Sequence, residues 1–314
     1  MAVVKPTLSG SFRIFRVAGI QVYLHWSWLL VGYLELQFRS SAYTSKVWAI
    51  AEYLTLFAIV LLHEFGHAFA CRQVGGQANE IVLWPLGGIA FVSPPPRPGA
   101  LLWSVAAGPL VNALLVPITV GAFMFGHYQG LAETNPDAYH FLLYAGVYMN
   151  LVLLIFNMLP IYPLDGGQIL QSLLWFIMGQ ARSLMVVCVI GMVAAVGIVL
   201  LAVLSMSIWL GLIALFTIFR CWAGFQQARL LAAIEKSPRH GDAVCPSCGT
   251  HPFAGNLWSC DQCHTRFDTF QHMGVCPHCR KVFPTTACLE CRGSSPIDTW
   301  FEQAATDGRE PERD

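Results

Sequence analysis

Charge is what this sequence has least of. Asp, Glu, Lys and Arg together make up 11% of its 314 residues, against roughly 25% in ordinary soluble domains. A soluble globule so poor in charge could not cover its own surface. With hydrophobic residues at 55%, the bulk of the chain needs lipid as solvent. An excess of either sign is missing too: 18 basic residues balance 18 acidic ones. That excludes a strongly basic nucleic-acid binder and an acidic tail protein as readings of the whole chain. The shortage is local. Residues 1–228 hold 9 Lys/Arg and 7 Asp/Glu, whereas residues 229–314 hold 9 and 11. A long membrane part is therefore followed by a short polar part. No secretory signal is read, because Lys5, Pro6, Arg13 and Arg16 interrupt the opening segment.

The apolar stretches predict about six spans, each needing roughly 20 residues. They cover 22–36, which is short, then 47–71, 100–125 and 138–159. A last block, 184–219, has 36 residues and no Asp, Glu, Lys or Arg. As one helix it would be about 54 Å long, too long for a hydrocarbon core of about 30 Å. It reads as two spans turning near Ser205-Met206-Ser207. Placing Lys5, Arg13 and Arg16 inside puts Arg72, Arg97, Arg182, Arg229 and Lys236 inside as well. The loop 126–137, with Glu133 and Asp137, then falls outside; Arg39 and Lys46 are exceptions. Both termini are expected in the cytoplasm. Between the second and third spans, Gly87-Gly88 and Pro94-Pro95-Pro96 argue against a spanning helix. A strand pair or re-entrant loop fits better, and at membrane depth it must line protein or a wet cavity.

The strongest chemical signal is His63-Glu64-Phe65-Gly66-His67, an H-E-x-x-H. Residues four apart share one helix face, so both imidazoles can reach one ion. Glu64 stands beside it, where it can act on water at the metal. The flanking helix is apolar, and an ionisable group inside a span costs roughly 2.5–3.5 kcal/mol on insertion scales. Three such groups within five residues demand compensation, which a metal supplies. A zinc hydrolase needs a third protein ligand and an open fourth position. Asp165 stands out among the few acids, in Asn157-Met158-Leu159-Pro160-Ile161-Tyr162-Pro163-Leu164-Asp165-Gly166-Gly167. It also reads as the N-cap of a helix starting near Gln168; capping and metal binding are compatible, so the motif alone does not separate them.

Three of the eleven cysteines, Cys71, Cys188 and Cys221, lie in apolar surroundings and read as small buried hydrophobes. The other eight form four C-x-x-C pairs: Cys245/Cys248, Cys260/Cys263, Cys276/Cys279 and Cys288/Cys291. A cytoplasmic tail keeps thiols reduced, so these suit two tetrahedral zinc sites rather than disulfides. Sequential and interleaved pairing both remain open. His251, His264, His272 and His278 could substitute, but eight cysteines need no help. With little apolar core, metal supplies the folding energy of this domain.

H-E-F-G-H in one span and N-x-x-P-x-x-P-x-D-G at the end of a later one resemble the site-2 protease family, the intramembrane zinc metalloproteases. Gly87-Gly88-Ile89 is similar to the glycine pair of that family's membrane-embedded strand loop, and Ala107-Gly108-Pro109-Leu110-Val111-Asn112 to its G-P-x-x-N segment. Phe12-Arg13-Ile14-Phe15 through His25-Trp26-Ser27-Trp28 resembles a bacterial branch. The resemblance covers residues 10–228. It implies His63, His67 and Asp165 as zinc ligands, Glu64 as the catalytic glutamate, and Asn157 in substrate handling or oxyanion stabilisation. It implies strand addition by the substrate at Gly87 and Gly88. Asn112 reads as interhelical hydrogen-bond glue, and His25 as a packing histidine.

The fold class expected is an all-α polytopic membrane protein of about six helices with a membrane-embedded strand or re-entrant loop, plus a small zinc-ribbon domain. The boundaries expected are a membrane metalloprotease domain 1–228, a linker 229–243, a cytoplasmic zinc-ribbon-like domain 244–294 and a flexible tail 295–314. The function implied is peptide hydrolysis in or near a transmembrane segment of a membrane protein, in a bacterial cytoplasmic membrane. One catalytic and two structural zinc ions are expected. Partners are the substrate, the bilayer and a protein docking on the ribbon tail. Nucleic acid is not expected, since the tail has no basic footprint. The competing reading is a catalytically silent zinc-binding membrane scaffold; intact Glu64 argues against it. A metal transporter would spread its ligands along a path, and a simple anchor would not need buried ionisable groups.

Overall fold

The computed structural model describes residues 10–84, 87–291 and 293–307. The chain divides at Gln226/Gln227 into two compact units.

The N-terminal unit opens with a hairpin of β1 (Ser11–Val17) and β2 (Ile20–His25). Its two-residue turn has Ala18 at φ 47° and Gly19 at φ 76°, the left-handed pair that a twisted hairpin prefers. Helix α1 (Ser27–Arg39), a 3₁₀ turn (Ser40–Ala42) and helix α2 (Lys46–Gln73) follow, with the Ser45 side chain accepting from the Val47 N–H at the start of α2. Strands β3 (Gln77–Trp84) and β4 (Gly87–Ser93) complete a sheet of order β1-β2-β3-β4, in which β2 and β3 are parallel and β4 is an edge.

The first expected span, 22–36, is therefore not a spanning helix. It is a strand followed by a 13-residue helix. The strand rises about 20 Å and the helix about 20 Å, together close to the roughly 42 Å of the 28-residue α2. Tyr53 Oη–H donates to Trp28 O at 2.9 Å, and the Arg72 guanidinium reaches Ala18 O. These contacts tie the start of α1 to the N-terminal third of α2, and the β1–β2 turn to its end. The sheet packs on the C-terminal half of α2, around Ile20, Val22, Ala68, Cys71, Ile81 and Leu83.

Helix α3 (Pro98–Tyr128) carries Pro109 and Pro117 inside it. A short α4 (Leu131–Thr134) leads to α5 (Pro136–Phe141), a π-helical stretch (Leu142–Tyr148) and α6 (Met149–Asn157). Helices α7 (Asp165–Met178), α8 (Gln180–Leu204) and α9 (Ile208–Glu235) follow. Among the described residues five helices are long and apolar enough to cross a membrane: α2, α3, Pro136–Asn157, α8 and α9. The count expected from sequence was about six; the difference is the strand–helix segment at the start. The turn between α8 and α9 falls at residues 205–207, as the hydropathy argued. Apolar side chains such as Val193, Leu200, Val203, Ile208 and Trp209 are exposed on α8 and α9, facing where acyl chains would lie. Arg39, out of place by the charge rule, is held by Glu52, which is wholly buried, at 2.8 Å, and stacks on the Tyr144 ring at 3.7 Å.

In the C-terminal unit the supposed linker 229–243 begins as helix, since α9 runs on to Glu235. Four short strands, β5 (Trp258–Ser259), β6 (Arg266–Phe267), β7 (Thr285–Ala287) and β8 (Ser294–Pro296), form two hairpins. Where a flexible tail was expected from 295, strand β8 ends and a helix follows. Helix α10 (Ile297–Asp307) buries Trp300 completely, its ring 4.8 Å from that of Phe270. Residues 308–314 lie outside the described part.

Candidate metal centre

Helix α2 presents His63 and His67 one turn apart, both buried, with Glu64 between them also buried. The two Nε2 atoms are 3.0 Å apart, and the rings meet edge-on. Asp165 arrives from far along the chain. After α6 ends, the chain doubles back so tightly that a methyl at Gly167 would lie 2.6 Å from the Ile161 and Tyr162 backbone. That return projects the Asp165 carboxylate onto the histidines, with Oδ2 3.0 Å from His63 Nε2 and 3.5 Å from His67 Nε2. Asp165 is the first residue of α7, and the N-cap position is held by Leu164, so the N-cap reading is set aside. Asn157 is the last residue of α6 and half-buried.

These three atoms suit a cation. Donors about 2.0–2.1 Å from a tetrahedral zinc sit about 3.3 Å from one another, which the triangle of 3.0, 3.0 and 3.5 Å brackets. Both Nδ1 atoms are already spent as donors. His67 Nδ1–H donates to Ser104 O at 2.9 Å, and His63 Nδ1–H donates to Asn112 Oδ1. Neutral rings in these tautomers aim two Nε2 lone pairs at a carboxylate oxygen that is buried and finds no hydrogen-bond donor. Three lone pairs converging in a buried space repel one another unless a positive charge lies between them. Gly108 leaves that space open: a methyl there would overlap His67 Nε2 and lie 2.8 Å from His63 Nε2.

Asn112, expected only to glue helices, thus touches the ring of a candidate ligand directly through His63 Nδ1. Sequence reasoning missed Asn150, which bonds to Asn112. Its signal was a buried amide in an apolar span. His25 packs as expected, stacked on Trp84 at 4.3 Å. Gly87 and Gly88 open β4, paired with Trp84 and Leu83.

The eight tail cysteines gather as two sets of four, each with its sulfurs close enough to share one ion. Cys245 and Cys248 meet Cys288 and Cys291, with Sγ–Sγ distances of 3.8 Å. Cys260 and Cys263 meet Cys276 and Cys279, at 3.5 and 3.6 Å. Sulfurs about 2.3 Å from a tetrahedral zinc lie about 3.8 Å apart. The pairing is nested, first pair with fourth and second with third, rather than sequential. The residue after the second cysteine has positive φ in three knuckles: Gly249, His264 and Arg280. His264 thus serves the turn. The Thr265 hydroxyl and N–H draw Cys263 down to about 5. At Cys248 burial pushes upward, but the equivalent Thr250 bonds outweigh it and bring the thiol to about 7. Each set therefore offers a thiolate at neutral pH.

Comparison with known proteins agrees with this geometry. Residues 126–204 match the model of Peptidase family M50. A zinc metalloprotease of Methanocaldococcus jannaschii is 33% identical over 230 residues, which are 73% of this chain and 63% of that protein. Stage IV sporulation protein FB of Bacillus subtilis is 33% identical over 119 residues, 37% of this chain and 38% of that one. The solved structure of the site-2 protease from M. jannaschii superposes with a TM-score of 0.50 at 29% identity, over 68% of this chain and 95% of the other. The chain belongs to the site-2 protease family, peptidase family M50. It spans less than two thirds of the length of the M. jannaschii zinc metalloprotease. As a site-2 protease family member with five long apolar helices, it is a multi-pass integral membrane protein, and the cysteine-rich unit is zinc-ribbon-like.

Proposed function

We propose that this chain is an intramembrane zinc metalloendopeptidase that hydrolyses a peptide bond in or near a transmembrane segment of a membrane protein. The observation that carries the reading is the meeting of His63, His67 and Asp165 within 3.5 Å beside a buried Glu64. His63 Nε2, His67 Nε2 and Asp165 Oδ2 would hold the ion. Zinc there supplies Lewis acidity for a scissile carbonyl and for a water. Glu64 takes the proton of the attacking water and delivers it to the leaving nitrogen. Asn157, at the end of the helix leading into the Asp165 loop, stabilises the developing oxyanion or orients the substrate.

The substrate helix must unwind locally, because a helical carbonyl is shielded by its own hydrogen bond. An unwound segment can add to the sheet edge at β4, beginning at Gly87 and Gly88, with main-chain hydrogen bonds supplying the grip. Water reaches the site from the cytoplasmic side. Both termini lie in the cytoplasm of a bacterial cell, and the nested cysteine sets hold two further zinc ions in a ribbon that docks a protein partner. The total is three zinc ions per chain.

The test is cleavage of a transmembrane substrate by the purified protein in detergent, compared with Glu64→Gln. The variant should keep its zinc and lose cleavage by about 10²–10⁴-fold. Equal cleavage by both proteins refutes the reading, and cleavage by neither favours a silent scaffold of the same fold.

A further inference from the structure

His67 and His63 have their tautomers set in different ways. His67 Nδ1 faces the carbonyl oxygen of Ser104. A backbone carbonyl only accepts, so that nitrogen must carry the proton and Nε2 is left free. His63 Nδ1 faces the side chain of Asn112. A carboxamide offers an acceptor on one side and a donor on the other, so this contact selects a tautomer only if something selects the orientation of the amide.

Asn150 supplies the selection. Asn112 and Asn150 are both wholly buried. Asn150 Nδ2–H donates to the backbone carbonyl of Asn112 at 3.1 Å, and Asn112 Nδ2–H donates to Asn150 Oδ1 at 2.8 Å. One group in this chain of bonds has no choice: the Asn112 backbone carbonyl can only accept, so Asn150 turns its NH₂ toward it. Asn150 Oδ1 then faces Asn112, which must present its own NH₂. Asn112 Oδ1 is left facing His63, whose Nδ1 must be protonated. Turning the Asn112 amide over would set its oxygen against Asn150 Oδ1 and leave His63 free to take the other tautomer. The oxygen–oxygen clash would bury an unsatisfied polar group, at about 1–3 kcal/mol. Asn150 stands just after the π-helical stretch Leu142–Tyr148, a local widening that resets the helix face that follows.

We propose that Asn150 is a positioning residue for the metal centre: by locking the Asn112 amide it keeps His63 in the tautomer whose Nε2 lone pair points at the ion. This rests on the proposed metal site. It concerns no group that touches substrate.

Full-length protein in detergent, loaded with ¹¹³Cd, tests it. The cadmium chemical shift separates a nitrogen/oxygen site from the all-thiolate sites, and the occupancy of the former is titrated against a competing chelator. Asn150→Leu removes both amide bonds and should weaken that site about 10–100-fold, the usual cost of losing an outer partner of a metal-binding histidine. Asn112→Asp presents an acceptor oxygen whichever way it turns, so the lock becomes unnecessary. In that background Asn150→Leu should weaken the site by less than about threefold, within the factor of 2–3 by which context shifts such contributions. An equal loss in both backgrounds means that Asn150 merely supports the helix packing and overturns the proposal. No loss in either does the same.

A second measurement avoids metal altogether. ¹⁵N spectra of the histidine rings in stripped protein should show one Nδ1–H tautomer for His63, and a mixture in Asn150→Leu. A single unchanged tautomer in the variant also overturns the proposal. If native protein shows no nitrogen/oxygen cadmium signal at all, the metal site itself is refuted, which is a different result from a signal insensitive to Asn150.

Discussion

Substituting Gly108 puts the metal-centre geometry under direct strain. Gly108 lies on α3 with its hydrogens against the two imidazoles. An ordinary carbon contact begins at 3.4 Å, whereas an added methyl would stand 2.8 Å from His63 Nε2 and overlap His67 Nε2. The His63 ring would have to withdraw by about 0.6 Å, from 3.4 less 2.8, and the His67 ring by more. Zinc coordination tolerates about ±0.2 Å in ligand distance. Gly108→Ala should therefore lose the membrane zinc and all cleavage while retaining the two tail ions, so that metal analysis falls from about three zinc per chain to about two. Overpacking adds a destabilisation of about 1–3 kcal/mol. At Gly121, on the same helix, an added methyl would meet nothing within 4 Å. Gly121→Ala should keep all the zinc and cost nothing, since alanine is favoured over glycine in helices by about 0.5–1 kcal/mol. Full zinc content and normal cleavage in Gly108→Ala would show that the space between the histidines is not where an ion sits.

Other outcomes follow from the same geometry. Asp165→Asn should lower the zinc content by about one per chain; an unchanged content removes it as a ligand. Arg39→Met leaves Glu52 buried without its cation and should destabilise the fold by about 3–5 kcal/mol, read as a lower unfolding midpoint in detergent. In the tail, burial would raise the Asp268 carboxyl, but the Gly255 N–H, His240 and the Gln271 N–H outweigh it and hold the group below its usual range. A depressed carboxylate contributes stability that is fully present above its unfolded value of about 3.9 and is lost as pH falls through the folded value. The stability difference between native protein and Asp268→Asn should thus be constant above about pH 5 and shrink below about pH 4. A difference that grows on acidification contradicts this.

Much of the site is legible because its chemistry is local. H-E-x-x-H lies within one turn of α2, so helical periodicity alone puts both rings on one face. The four C-x-x-C knuckles are local in the same sense, as is the α8–α9 turn, where a charge-free block exceeds the bilayer thickness. Asp165 stands out through its prolines and glycines, but a helix-capping role is open in the sequence as well; the helix boundary decides that, and the distance to His63 decides whether it can share an ion. The first span misled because hydropathy does not distinguish a buried strand followed by a short helix from one spanning helix. The tail end misled because Trp300 lies among polar residues that suggested no core, yet it fills one built largely by cysteines and Phe270.

Composition and motif spacing are enough to establish that this chain dissolves in lipid, that one apolar helix carries a metal-binding pair with an acid beside it, and that the tail is rich in paired thiols. These follow from side-chain chemistry and from periods shorter than ten residues. Only the tertiary structure decides which distant groups meet: Asp165 with the two histidines, the first cysteine pair with the fourth, and Asn150 with Asn112. Such meetings depend on how helices of near-uniform hydrophobicity pack against one another. In that packing the small residues and the few buried polar groups select the register, and no local pattern records which partner each will find.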